Sequence, residues 1–172
     1  MQDLILVRVD ETHADELTQY AKEFAKIGDT LHGAPFLEAD KCVNEWIAYA
    51  HSFEREDTLP DPKFVTATQY VALRKDDPRI FGVVNIRHYL NDALKEDGGY
   101  VGYSTRPSER KKGYATAMLI LALNIFRQMG KSSIMISCDH DNIASRKTIE
   151  SCGGVFERMS QDGKTSIFWI NL

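Results

Sequence analysis

The chain has 172 residues, enough for a single core whose folding hides roughly 70% of the unfolded surface. Its 21 Lys and Arg stand against 25 Asp and Glu, and the net charge of -4 excludes a general attraction for nucleic acid, so any basic function has to be local. Cys42, Cys138 and Cys152 have no zinc-ligand spacing and are odd in number, so neither a metal site nor a disulfide framework is expected. Reduced thiols fit a cytoplasmic location. The opening MQDLILVRVDETHADEL lacks a basic leader followed by an apolar run, and no stretch of about 18 apolar residues occurs, so neither secretion nor a membrane span is expected.

LILVRV, Leu4 to Val9, predicts a strand. ETHADELTQYAKEFAKIG predicts a helix, because Leu17, Tyr20, Ala21 and Phe24 recur at helical spacing. GDTLHGAPFLEAD, Gly28 to Asp40, mixes turn formers with apolar side chains and reads as an ordered loop, either one wall of an acceptor site or a packed connector. A second helix, Lys41 to Phe53, carries Val43, Trp46, Ile47 and Ala50 on one face. FVTATQYVALR and IFGVVNIRHYL, separated by KDDPR, predict an antiparallel pair. GGYVGYST predicts the next strand, stopped by Pro107, which has no N–H to give a ladder. Ala115, Met118, Leu119, Ala122, Phe126 and Met129 then mark a buried helix face that Gly130 closes. SIMISC is a strand, DNIASRKTIESCGG a helix capped by Asp141 or Asn142, and VFERMSQDGKTSIFWINL two strands around an Asp-Gly turn. With no repeat or linker, this order predicts one α+β domain over residues 1-172, with about seven strands and four helices.

Arg110, Lys111 and Lys112 stand directly before Gly113 and a long helix. A turn that enters a helix presents unpaired N–H groups, and the macrodipole adds about half a positive charge there. Gly113 and Ala115 allow an oxygen close to the backbone while the three cations flank it, so a pyrophosphate fits. A basic helix start kept for solubility would look the same in isolation. Nucleotide-hydrolysing and dinucleotide loops are excluded, since neither G-x-x-x-x-G-K-[ST] nor a strand-linked G-x-G-x-x-G occurs.

The run GYSTRPSERKKGYATAMLILAL, followed one strand later by CDHDNIASRKTIESCGGVFE, resembles the GNAT superfamily of acyl-CoA-dependent N-acyltransferases, whose motif [QR]-x-x-G-x-[GA] opens the central helix. The resemblance covers about Ile80 to Leu172, an acetyl-CoA-binding core over residues 80-172, and leaves 1-60 as the acceptor side. It implies a mixed central sheet splayed between its fourth and fifth strands, with the backbone of Tyr103 and Thr105 pairing with a pantetheine arm. The pyrophosphate would sit on the N–H groups of Arg110, Lys111, Lys112, Gly113, Tyr114, Ala115 and Thr116, Asn142 would hold the arm, and Ser145 would approach the sulfur. Asn142 is equally a helix N-cap. The implied activity is acetyl transfer from acetyl-CoA, a co-substrate, to a primary amine of a small molecule or peptide by direct attack in a ternary complex. No metal, nucleic acid or membrane partner is implied, and a homodimer is a common family assembly.

The pattern also breaks. Ile149 stands where many members carry a tyrosine acid, Gly153-Gly154 replaces the usual Gly-Phe, and GGYVGYST contains no carboxylate base. Ser145, or a water it orients, is the substitute candidate acid, and His88 the nearest candidate base, with an ordinary pKa of about 6.5 suited to proton uptake, or else a structural histidine. Arg87 and Asn91 beside it are candidates for an acidic group on the acceptor. Asp139, His140 and Asp141 are consecutive and read as a solvated loop, and the thiols have no partner histidine. Loss of both usual proton-transfer groups leaves a non-catalytic acyl-CoA-binding sensor as the alternative.

Overall fold

A computed structural model describes residues 3-172 of the chain. Seven strands and five helices follow one another as β1 (Leu4–Arg8), α1 (Ala14–Ile27), α2 (Val43–Ser52), β2 (Ala67–Arg74), β3 (Asp77–Arg87), α3 (Asp92–Glu96), β4 (Val101–Thr105), α4 (Tyr114–Gln128), β5 (Ser133–Asp139), α5 (Ile143–Ser151), β6 (Val155–Met159) and β7 (Thr165–Asn171). The expected α+β order holds, with one addition. The four expected helices become five, because Asn91 accepts a hydrogen bond from the Leu94 N–H at 2.9 Å and caps the short α3. A helix this short carries no periodicity to detect.

The strands form two sheets, β1-β2-β3-β4 and β5-β7-β6, and every ladder within them is antiparallel. The mixed pairing expected of a central sheet is therefore absent from the named ladders. Between β4 and β5 the join is one bridge, Gly99 with Ile136, where the Tyr100 N–H donates to the Met135 carbonyl at 2.8 Å. Beyond it, from Val101 onward, the edge of β4 that faces β5 carries no ladder.

Two apolar clusters flank the first sheet. Val71, Ile80 and Val83 lie against Leu17, Tyr20, Phe24 and Ile47 of α1 and α2. Phe81, Val84 and Ile86 of β3, with Val101 of β4, lie against Met118, Leu119, Ala122 and Phe126 of α4, and Ile134, Ile136 and Phe168 of the second sheet extend this cluster. Each fully buried aromatic or aliphatic side chain here contributes about 1.5–3 kcal/mol. The helix face expected for α4 is this buried one, except that Ala115 is half-buried and Met129 exposed.

Arg106, buried just after β4, ties the halves together. Its Nη1 donates to Glu16 at 2.7 Å and its Nε to Glu23 at 2.6 Å, both on α1. Burial pushes the Glu23 carboxyl up, but Arg106 and the Ser108 hydroxyl outweigh it and hold the group below the usual carboxylate range. No helix among the described residues is long and apolar enough to cross a membrane.

Candidate active site

Past β4 the chain makes a short turn over Pro107–Glu109, and Lys111 and Gly113 both take left-handed backbone, with φ of 61° and 82°. Gly113 is the N-cap of α4 and no side chain caps this end. Among the described residues, the backbone N–H groups of Lys111, Lys112, Gly113, Tyr114, Ala115 and Thr116 find no acceptor, and the regular helical bonds begin with Ala117 donating to Gly113. That of Arg110 makes a long bond of 3.4 Å to Pro107. Such a row of free donors at a helix start fits an anion.

The cations are arranged less simply than their run suggests. Arg110 is paired with Asp29 at 2.7 Å and lies over the Phe24 ring, while Lys112 is paired with Glu109 at 2.9 Å. Asp29 is held below the usual carboxylate range by that arginine. Lys111 has no ion pair among the described residues. The turn is thus a backbone site, with side chains that brace it.

On the other side of the opening, Asn142 caps α5 by accepting from the Ser145 N–H at 3.0 Å. The Ser145 hydroxyl lies 2.9 Å from the Tyr103 hydroxyl, so the residue named on the sequence for its backbone brings its side chain to the proposed acid. Burial pushes the Tyr103 hydroxyl up to about 12, which keeps it protonated and a hydrogen-bond donor at neutral pH. Thr105 ends the same strand. Ile149 is fully buried in the larger cluster, which explains why no tyrosine stands there: the position packs the core.

The loop from Gly28 to Asp40 is anchored against β4. The Ser104 hydroxyl donates to the His32 carbonyl at 2.6 Å and the Tyr20 hydroxyl to the Ser104 carbonyl at 2.9 Å. A Cβ on Gly33 would stand 2.5 Å from the Tyr103 Cα, so only glycine lets loop and strand approach this closely, and its φ of 74° adds a second reason. Beyond this contact opens a pocket of about 440 Å³ whose walls include Phe36, Trp46, Tyr49, Phe53 and Phe64 and whose floor includes Gln69, Asn85 and Arg87. The Trp46 indole N–H donates to the Pro35 carbonyl at 2.8 Å and fixes the turn that presents Phe36.

The sequence candidates around β3 divide. Arg87 lines the pocket, its Nη1 donating to the carbonyls of Gly98 at 3.1 Å and Gly99 at 2.7 Å, and burial lowers its pKa. Asn91 lines it too, but its Oδ1 caps α3 and its Nδ2 donates to the Lys63 carbonyl at 2.8 Å, so its polar atoms serve the frame. His88 follows the end of β3, where its Nε2 lies 2.9 Å from the Thr68 hydroxyl and burial pulls its pKa down. It does not line the pocket.

Sequence reasoning missed the aromatic walls. The available signal was a second apolar stripe on α2, Trp46, Tyr49, Ala50 and Phe53, at helical spacing beside the core-facing Val43 and Ile47. Among the described residues no cluster of three or more His, Cys, Asp or Glu is placed to hold a metal ion.

With this geometry, comparison with known proteins is informative. The model of the acetyltransferase (GNAT) domain matches residues 3–155. A curated relative, "Uncharacterized N-acetyltransferase YjdG" of Bacillus subtilis (strain 168), is 28% identical over 100 residues, 58% of this chain and 58% of that protein's length. Among solved structures, RimL, a ribosomal L7/L12 alpha-N-protein acetyltransferase in complex with coenzyme A, matches with a TM-score of 0.72 at 18% identity, over 100% of this chain and 96% of its own. The microcin C7 self immunity acetyltransferase MccE, in complex with acetyl-CoA and AMP, matches with a TM-score of 0.70 at 18% identity, over 100% and 94%. The chain belongs to the GNAT acetyltransferase domain family.

Proposed function

We propose that the protein transfers an acetyl group from acetyl-CoA to a primary amine by direct attack. The observation that carries this reading is a pair of features on consecutive segments: the row of free N–H groups from Lys111 to Thr116, and the unladdered edge of β4 just before it. The first suits the pyrophosphate of the co-substrate and the second its pantetheine arm. Solved relatives with coenzyme A or acetyl-CoA bound support the same assignment.

In this scheme the free edge of β4, at Tyr103 and Thr105, holds the thioester, and a strand N–H polarises its carbonyl. The amine lone pair forms the C–N bond as the C–S bond breaks. Ser145, held by Tyr103 on one side and by the capped start of α5 on the other, gives its proton toward the departing thiolate and takes one back from water. No Asp, Glu or His lines the pocket, so the proton lost by the amine passes to water. Orientation then supplies most of the acceleration. For a lysine-like amine with a pKa of about 10.4, the neutral form is scarce at pH 7, and turnover rises with pH toward the amine's own pKa.

Calorimetric titration with acetyl-CoA, followed by thiol release with a panel of primary amines, tests the proposal. Binding with amine-dependent thiol release supports it. Binding with no release from any amine points to a sensor, and absence of binding removes the assignment altogether.

A further inference from the structure

The pocket beside β4 contains an amide network whose hydrogen bonds determine its polarity. Gln69 Nε2 donates to the carbonyls of Gly33 at 2.8 Å, Val84 at 3.1 Å and Tyr70 at 3.3 Å. Surrounded by acceptors, that atom has to be the nitrogen, so Gln69 presents its oxygen to Asn85, whose Nδ2 donates to it at 3.2 Å. Asn85 is thereby fixed as well. Its Oδ1 has no hydrogen-bond partner among the described residues, and the pocket it lines is where that acceptor is open.

Two positions on, on the same face of β3, Arg87 engages its Nη1 with two backbone carbonyls and leaves Nε and Nη2 without a protein partner. No carboxylate lies within ion-pair distance of it among the described residues. A partly buried guanidinium on a lining without a carboxylate is costly unless something bound supplies the anion. Its Nη2 is 3.7 Å from where a Cβ of Gly102 would stand, one residue from Tyr103, so an anion there lies beside the acetyl-transfer edge.

Opposite these groups the walls are aromatic. Phe36 takes left-handed backbone, φ 66°, which costs a side-chain-bearing residue about 1–2 kcal/mol. It stays more than half exposed at the rim, edge-on to Tyr49 and Phe64 with ring centroids 5.6 and 6.2 Å away. A ring held out under strain and still open to solvent has the geometry of a stacking surface.

We propose that this pocket binds an acceptor of one chemical class, a small amine bearing a carboxylate on a neighbouring carbon and an aromatic body, as in an aromatic amino acid. The carboxylate lies on Nε and Nη2 of Arg87, the amine gives an N–H to Asn85 Oδ1, and the ring enters among Phe36, Tyr49, Phe53 and Phe64. Side chains two apart on one strand face stand about 6.6 Å apart, a gap that an adjacent amine and carboxylate bridge by a hydrogen bond at each end. This assignment rests on the acetyl-transfer reading for turnover, though not for binding.

The test has a binding arm and a turnover arm. 3-Indolepropionate, with ring and carboxylate but no amine, is titrated calorimetrically into the native protein and into Arg87→Met and Arg87→Lys, each checked for folding by thermal unfolding and for acetyl-CoA affinity. Thiol release is then compared for tryptophan, tryptophanamide and tryptamine. Indolepropionate should bind the native protein, fail to bind Arg87→Met and bind Arg87→Lys with intermediate affinity, while acetyl-CoA affinity is unchanged in all three. Tryptophan should exceed both carboxylate-free amines in kcat/KM by about 10- to 100-fold, the range of a charge-assisted fork, and lose that advantage in Arg87→Met. Equal use of tryptamine or tryptophanamide, or indolepropionate binding that ignores Arg87, overturns the proposal. If acetyl-CoA fails to bind, acetyl transfer falls and the indolepropionate arm still decides the pocket.

Discussion

The two arms of the opening are built from different material. The arm proposed for the cofactor is backbone: free N–H groups from Lys111 to Thr116 and an unladdered β4 edge. The pocket proposed for the acceptor is made of side chains, gathered from the loop before α2, from α2 itself, from the segment before β2, and from β2, β3 and α3. A backbone site needs little more than a glycine, a small residue and a helix start, so it leaves a compact mark in one stretch of sequence. A side-chain site needs long-range packing to assemble, and its members carry no shared spacing.

Predictions can break this contrast, beginning with the contact between the loop before α2 and β4. Gly33→Val should cost on the order of 3 kcal/mol, because its Cβ meets the Tyr103 backbone and its φ is left-handed. Chemical denaturation measures the loss, and a variant as stable as the parent would show that loop and strand are not in contact.

Ile149→Tyr, which restores the residue common elsewhere in the family, should destabilise the fold by about 1–3 kcal/mol through overpacking and should not raise turnover. A more active, equally stable variant would mean that the position faces the thioester after all.

Ser145→Ala should lower kcat by about 10- to 100-fold, toward the low end for loss of a positioned proton donor, while acetyl-CoA affinity stays nearly intact. A change confined to acetyl-CoA affinity would make Ser145 a binding group instead.

The smallest effect belongs to His88. Since burial lowers its folded pKa below the unfolded value near 6.5, the unfolded chain binds more protons in that window. Stability should therefore be full above about pH 6.5 and fall as pH drops from there through the folded pKa. His88→Gln should flatten that decline in denaturation midpoints and leave the pH–rate profile for acetyl transfer as it was. Removal of the acidic limb of that profile would return His88 to the reaction.

The same contrast explains what was legible. All seven strands, the four longer helices and the glycine turn before α4 follow from alternation, helical spacing and Gly113. Asn142 could be read as a cap because capping is local, and it is one. The separation of His88 from its neighbour Arg87 could not be read from the sequence, since one meets the Thr68 hydroxyl and the other lines the pocket only once β2 and β3 have paired and packed. Tyr103 shows the same limit: its strand was legible, but the meeting of its hydroxyl with Ser145 depends on two segments 42 residues apart in the chain.

The central claim is that the turn before α4 binds the acetyl-CoA pyrophosphate through its backbone, and calorimetric titration of acetyl-CoA into the native protein and Gly113→Glu tests it most directly. The native protein should bind, and the variant, with bulk and negative charge placed at a left-handed N-cap, should lose affinity by at least about 100-fold, as expected when a set of charge-assisted contacts is removed. A folded Gly113→Glu that binds acetyl-CoA as the native protein does would contradict the account.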